Sequence, residues 1–293
     1  MPMKPRERLP YSAIIDREPV HLPDGTRVIV WPIVNVEHWD IEGPMPRTVL
    51  PPPMGGSLLP DLANWAWHEY GMRVGFWRLL DALQSRGIRA TLSVNGSVCD
   101  VYPRVATAAH EAGWEFMGHS QIQRPMHLVE DQRAAMRECI ESISRITGRA
   151  PRGWLGPGLT ETYDTPDHLA AEGFEYVADW VMDEQPQEIE TTHGPLVTLP
   201  YSVELNDIPM MMIQHHSAIE LYNRSMDQFR RLYAEGEHSV RVMGIAVHPY
   251  ITGVPHRIGY FERVLDELKQ QPGVVFWTGD QILDWYRDMH SAS

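Results

Sequence analysis

With 293 residues, 43% hydrophobic and 22% charged, the chain is long enough for one large α/β domain or two smaller ones, and its composition is globular rather than disordered. A formal net charge of −14 and the lack of any Lys/Arg run argue against a nucleic-acid partner and against an anionic polymer as substrate. No window approaches the roughly 18 to 20 apolar residues of a membrane span, and no apolar stretch of signal-peptide length follows Met1–Pro10, so cytoplasmic residence is the default expectation.

Residues 1–26 are polar and proline-rich and read as an N-terminal arm that wraps the body or an adjacent subunit. Asp24-Gly25-Thr26 then turns into a strand over Arg27–Val36. Residues 40–62 hold Pro44, Pro46, Pro51, Pro52, Pro53 and Pro60 without a periodic pattern, and so long a loop beside a strand end reads as a lid or wall. Helices and strands alternate from there. A helix over Tyr70–Arg86 precedes a strand over Arg89–Val94, and a helix over Val101–Ala112 precedes Trp114–Met117. An amphipathic helix over Val129–Thr147 leads to a short strand at Arg152–Leu155, and Pro166–Glu172 leads to Phe174–Ala178. A strand at Leu196–Tyr201, a helix at Ser217–Ala234, a strand at Val240–Val247, a helix at Arg257–Lys269, a strand at Gly273–Trp277 and a helix at Asp280–Met289 complete the series. This alternation predicts a single domain over 27–293, a distorted (β/α) barrel of about seven parallel strands with helices outside. Cys99 and Cys139 fit neither a disulfide framework nor a zinc ribbon.

In such sheets ligands are handled where strands give way to loops at their C-terminal ends. Three strands end there on ionisable groups: Glu37, His119 and His248. Strand alternation directs Asn35 and Glu37 to one side and Val36 and His38 to the other, with Trp39 positioned to seal a pocket. A carboxylate in such surroundings serves as a metal ligand or as a general base. Gln123 lies four residues after His119 and shares its face if the segment turns helically, although Gln is a poor ligand beside His. His248, closing a strand before Pro249, suits a general acid. Of His215 and His216, which point opposite ways on a strand, His215 is a candidate for the pocket. Asp179 and Asp183 are candidates to orient an imidazole. Trp154-Leu155-Gly156 offers an aromatic wall and backbone N–H groups, and Trp180 a further wall. No Gly-x-Ser-x-Gly elbow or phosphate-binding glycine loop is present.

Taken in order, Val34-Asn-Val-Glu-His38, Gly118-His-Ser-Gln-Ile-Gln123, Ala150-Pro-Arg-Gly-Trp-Leu-Gly-Pro157 and Val240–His248 resemble the motifs of the polysaccharide deacetylase superfamily, specifically its soluble branch of allantoinases and cyclic imide hydrolases. The resemblance runs from about Arg27 to Tyr286. It implies hydrolysis of a non-peptide C–N bond, with His248 as general acid. The departures from the motifs also matter. Where sugar deacetylases offer two adjacent aspartates this chain has Asn35, Val36 and Glu37; Gln123 replaces the second motif histidine, and Leu155 the arginine of the third motif. The ligand set for a divalent metal such as zinc is then Glu37, His119 and Gln123, or the site works without one. The leading expectation is ring opening of a small cyclic imide, ureide or amide. Glu37 and His248 are its catalytic pair, Asp183 supports them, backbone N–H groups near Gly156–Gly158 stand at the oxyanion, and Asn35, Trp39, Trp154, Leu155, Gly156, Trp180 and His215 contact substrate. The alternatives are a metal-dependent N-deacetylase of an acetylated sugar and a non-catalytic binding relative. The expected partners are a small-molecule substrate and further copies of the chain, as a dimer or tetramer, with no membrane.

Overall fold

The computed structural model describes residues 2–56 and 58–291. Met1, Ser57 and residues 292–293, at the edges of the expected arm and domain and within the expected loop, lie outside the described residues. Among the described residues, nine strands form one sheet: β1 Val28–Val36, β2 Thr91–Val94, β3 Glu115–Gly118, β4 Gly153–Trp154, β5 Tyr176–Val177, β6 Gln187–Ile189, β7 Leu196–Thr198, β8 Arg241–Val247 and β9 Val274–Phe276. Their order is β6-β7-β5-β4-β3-β2-β1-β8, with β9 also on β1, and every pairing is parallel except β6 on β7. The result is a curled sheet open between β6 and β8, a half-barrel rather than a closed ring.

The hydrophobic run of β1 follows from burial on both faces. Val28, Val30, Val34 and Val36 join the core shared with the helices, whereas Ile29, Trp31 and Ile33 join a second core inside the curl. Proline is rare in central strands because it lacks an N–H, yet Pro32 lies in the middle of β1. Even-numbered residues of β1 bond toward β9 and β2: Val28 N–H to Gly273 O, and Val30 O and Val36 O from Trp277 and Asn95. Pro32 falls between the register of β9, which ends at Val30, and that of β2, which begins at Ile33, so its missing N–H faces the fork where no partner strand runs.

Inside the curl at the N-terminal end, Trp31 Nε1 and Gly279 N–H donate to Thr91 Oγ1 at 2.7 and 3.0 Å, which leaves the Thr91 proton for Glu115 at 2.6 Å. Tyr176 donates to the other Glu115 oxygen at 2.5 Å. Burial, reinforced by the nearby Asp280, pushes the Glu115 carboxyl up so that it keeps its proton. With α10 (below) this cluster closes the end opposite the loops.

Among the helices, α1 Pro5–Arg8 lies in the arm, and α2 Leu62–Tyr70 continues through a π turn at Gly71–Gly75 into α3 Phe76–Gln84. The helix expected over Tyr70–Arg86 therefore starts earlier and is interrupted. The segment expected as one helix over Val101–Ala112 is two, α4 Gly96–Val101 and α5 Pro103–Glu111, because a residue before proline avoids the helical region and Tyr102 is not helical. Then follow α6 Gln132–Thr147, α7 Thr165–Ala171, α8 Glu220–Glu235, α9 Ile258–Lys269 and α10 Gly279–Ser291. The antiparallel β6 and a π turn at Ile208–Ile213 have no counterpart in the sequence pattern. Among the described residues the outer edge of β8 pairs with no further named strand; Val242 and Ala246 donate to Glu184 O and Leu205 O, both at 2.9 Å, so loops finish the curl. No helix among the described residues is long and apolar enough to cross a membrane.

The arm lies on its own body. Arg8, almost fully buried, forms an ion pair with Asp167 and donates to Glu190 O at 2.8 Å and Tyr163 O at 2.7 Å, while Arg17 holds Asp183 at 2.6 and 2.9 Å. Burial alone would raise the Asp167 carboxyl, but the Arg8 guanidinium outweighs it and brings it down to about 2. Arg8→Ala should cost on the order of 3 kcal/mol in a denaturant titration, because it leaves a carboxylate without its cation. The pair contributes fully above the unfolded carboxyl range near 3.8 and is lost as pH falls through about 2. The variant should lack that part of the acid sensitivity.

Candidate active site

The site lies at the C-terminal ends of β1, β3 and β8. Glu37 leaves β1 with a side chain only 6% exposed, and its Oε1 stands 3.7 Å from both His119 Nε2 and His248 Nε2. Trp39 Nε1 donates to the other oxygen at 3.2 Å, and Trp39 is itself held through its carbonyl by Trp65 Nε1. Burial alone would raise the Glu37 carboxyl, but the adjacent His248 and the hydrogen bonds that Glu37 accepts from Trp39 and Gln123 hold it well below the usual range, as a carboxylate.

His248 is oriented by Asp207, which takes the ring Nδ1 at 2.6 Å and the His248 backbone N–H at 2.8 Å; Thr252 donates to the same carboxylate at 2.6 Å. Burial would lower the imidazole, yet Asp207 and Glu37 together raise it to about 9, so His248 is protonated at neutral pH. His119 donates from Nδ1 to Leu155 O at 2.5 Å, and Nε2 accepts from the Gln123 amide that faces it.

The orientation of Gln123 is fixed by a chain of polar contacts. The backbone N–H of His38 can only donate, so Asn95 presents Oδ1 to it, at 3.0 Å, and turns Nδ2 toward Gln123 Oε1 at 2.9 Å. The Gln123 amide must then aim its NH₂ inward, with one contact to Glu37 Oε1 at 2.8 Å and one to His119 Nε2 at 3.1 Å. The geometry that brings it there is not the helical turn the spacing suggested. Ser120 adopts φ 62°, and the chain doubles back with Gly96 N–H on Ser120 O.

This arrangement does not fit the metal expected on Glu37, His119 and Gln123. Gln123 offers hydrogens, not a lone pair, to the space between the other two, and no group of three or more His, Cys, Asp or Glu that could hold an ion occurs among the described residues.

Other expectations are redistributed. Asp183 is tied to Arg17 of the arm, and Asp207 takes the supporting role expected of it. Asp179 accepts the Gly156 N–H on both oxygens, at 2.8 and 2.9 Å, so that N–H is not free for an oxyanion. Trp154 packs on Phe174 in the helix-side core, because the alternation of β4 turns it away from the curl, and the Leu155 carbonyl accepts from His119. Trp180 donates to Glu161 at 3.0 Å. His215 is exposed, with φ 57°, after the π turn rather than on a strand. Asn35 lies inside the curl and donates to Tyr201 at 3.1 Å.

Three residues of the site escaped the sequence reading: Asp207, His68 and Tyr250. His68 is on α2, with ring centroids 4.6 Å from Tyr250 and 5.6 Å from Trp39. Tyr250 follows His248 by two residues and lies 5.8 Å from its ring. Two glycines let the π turn seat against this loop: a Cβ on Gly75 would meet Pro249 O at 2.0 Å, and one on Gly71 would meet Tyr250 N at 2.9 Å.

Residues 67–177 match the polysaccharide deacetylase family. A Schizosaccharomyces pombe relative whose name assigns it to the polysaccharide deacetylases is 26% identical over 247 residues, 76% of this chain and 75% of its own. The peptidoglycan deacetylase of Helicobacter pylori is 23% identical over 270 residues, covering 78% and 89%. The crystal structure of Puue allantoinase superposes with a TM-score of 0.83 over 98% of this chain and 99% of its own, at 24% identity. A Pseudomonas aeruginosa PAO1 structure named for polysaccharide deacetylation reaches 0.84 over 97% and 98%, at 25% identity.

An NMR titration of the His248 ring should show its transition near 9. In Asp207→Asn, which keeps the shape but removes the charge, the transition should fall by about one pH unit or more. An unchanged transition would show that Asp207 does not hold the proton there.

Proposed function

We propose that this chain, which carries a polysaccharide deacetylase domain in the fold of that superfamily, hydrolyses a non-peptide C–N bond by opening a small cyclic imide or ureide. The observation that carries the reading is the Gln123 amide spanning Glu37 and His119, set beside a protonated His248. The site supplies a carboxylate and an imidazolium. That pair suits a carbonyl already activated by its own substituents, as in an imide or ureide whose nitrogen lone pair is shared between two carbonyls. Trp39 beside Glu37, with the His68 and Tyr250 rings next to it, suits a compact ring.

In this mechanism a water held by Glu37 attacks the carbonyl carbon. The new C–O bond forms as Glu37 takes the water proton. The C–N bond then breaks as His248 Nε2 passes its proton to the departing nitrogen. That transfer also removes the cation that kept Glu37 low, so base and acid change state together. The proton on Glu37 crosses the 3.7 Å to His248 and resets the pair. The proposed substrate is a small neutral ring, and the proposed working form is a homo-oligomer in the cytoplasm.

N-deacetylation is the second reading, favoured by the names of the curated relatives. A panel of succinimide, hydantoin, allantoin and acetylated chitooligosaccharides separates the two: the first reading expects ring opening, and acetate release alone reverses the order. Glu37→Gln and His248→Gln should each lower kcat/KM by about a hundredfold or more with unchanged circular dichroism. Dialysis against a chelator should leave the wild-type rate unchanged, whereas a rate that collapses and returns with zinc would overturn the assignment of Gln123.

A further inference from the structure

Two buried polar atoms at the site make no hydrogen bond of normal geometry among the described residues: His68 Nε2 and the Tyr250 hydroxyl, which faces the Glu37 carboxylate at longer range. The residues are 5% and 4% exposed, and their rings lie 4.6 Å apart beside Glu37 and His248. An unpaired buried polar group is destabilising, and a ligand that completes it is the usual reason for one to persist at a site.

Their hydrogen-bonding senses are opposite. His68 Nδ1 lies 2.7 Å from Asn64 O, a carbonyl that can only accept, so the ring proton sits on Nδ1 and Nε2 is an acceptor. Burial also lowers the imidazole and keeps it neutral. Tyr250 keeps its proton, because burial and the adjacent Glu37 push the phenol well up, and it is a donor. The position of both is set by packing: Trp67 touches each ring at 5.0 Å, Trp39 lies against His68, and the Gly71–Gly75 turn abuts Pro249.

An acceptor beside a donor complements a group whose N–H and C=O point the same way. A five- or six-membered ring forces its amide into that cis form, whereas an open secondary amide such as an N-acetyl group is trans and points the two apart. We propose that His68 Nε2 and Tyr250 Oη together bind the cis-amide edge of the substrate ring, His68 accepting its N–H and Tyr250 donating to its carbonyl oxygen. This rests on the ring-opening reading and extends it: the site selects lactam-type edges that carry a free N–H, and it disfavours N-alkylated rings and open-chain N-acetyl amides.

The test uses small ligands on the intact protein, read by quenching of tryptophan fluorescence at Trp39 and Trp67 and by calorimetry. Wild type should bind 2-pyrrolidinone about tenfold or more tightly than N-methyl-2-pyrrolidinone or N-methylacetamide. His68→Phe should lose the preference for the N–H ligand. Tyr250→Phe should weaken both lactams alike and, in turnover, lower kcat more than it raises KM. Equal wild-type affinities, or a preference that survives in both variants, would overturn the proposal. The wild-type comparison needs no variant to fold. A wild type that prefers the N–H lactam yet opens no cyclic imide or ureide would uphold the edge assignment and sink the ring-opening reading. Ring opening without N–H preference would do the reverse.

Discussion

A carboxylate buried at the mouth of a hydrophobic half-barrel must be compensated, and most of the upper face of this protein is organised around that requirement at Glu37. Taking such an ion out of water costs several kcal/mol unless hydrogen bonds and opposite charge replace the solvent. Here Trp39 and Gln123 provide the hydrogen bonds and His248 the charge, with Asp207 and Thr252 fixing His248. The strands contribute by ending at the same level, so that groups far apart in sequence meet within 4 Å. Compensation by a neutral amide at Gln123, rather than by a further ionisable group, leaves the transferable proton on His248, between the carboxylates of Glu37 and Asp207.

The fold was largely legible because its signals are local and repeated. The two-sided burial of β1, the Val/Ile content of β8 and the amphipathic α6 and α8 follow the periodicities of strand and helix, and the segments that resemble polysaccharide deacetylase motifs lie at or directly after the strands. What local pattern does not explain are features decided by tertiary context. Pro32 would disqualify a central strand on local grounds, and only the fork between β9 and β2 admits it. The closure of the curl by loops on β8 leaves no strand-like pattern to find.

At the site, Glu37, His119 and His248 were readable because each directly follows a strand. Asp207 was not, because it sits in an irregular segment, 41 residues before the histidine it orients, and resembles any loop aspartate. Asp179 and Asp183, nearer a strand end, were the more natural choices and proved to serve Gly156 and Arg17. Gln123 was found by spacing, but its function depends on which end of the amide faces inward. That is settled by the His38 N–H two residues removed along a hydrogen-bond chain, and it has no sequence signature. His68 was missed with its helix: the expected helix began at Tyr70, and the Trp65-Ala-Trp-His run of α2 gives no hint of which ring faces the pocket.

The π turn at Gly71–Gly75 bears on how the chain tolerates change in length. Such a turn is an α-helix holding one surplus residue in a single wide loop. Each α-helical residue advances about 100° around the axis, so deleting one position there would rotate everything upstream by that angle relative to α3. The Trp39-facing side of α2 would swing away from Tyr250 while α3 stayed in its bed. Insertions and deletions within these five residues thus act as a phase setting for the pocket wall, and a homologue that differs in length at this point would present a different wall on the same barrel.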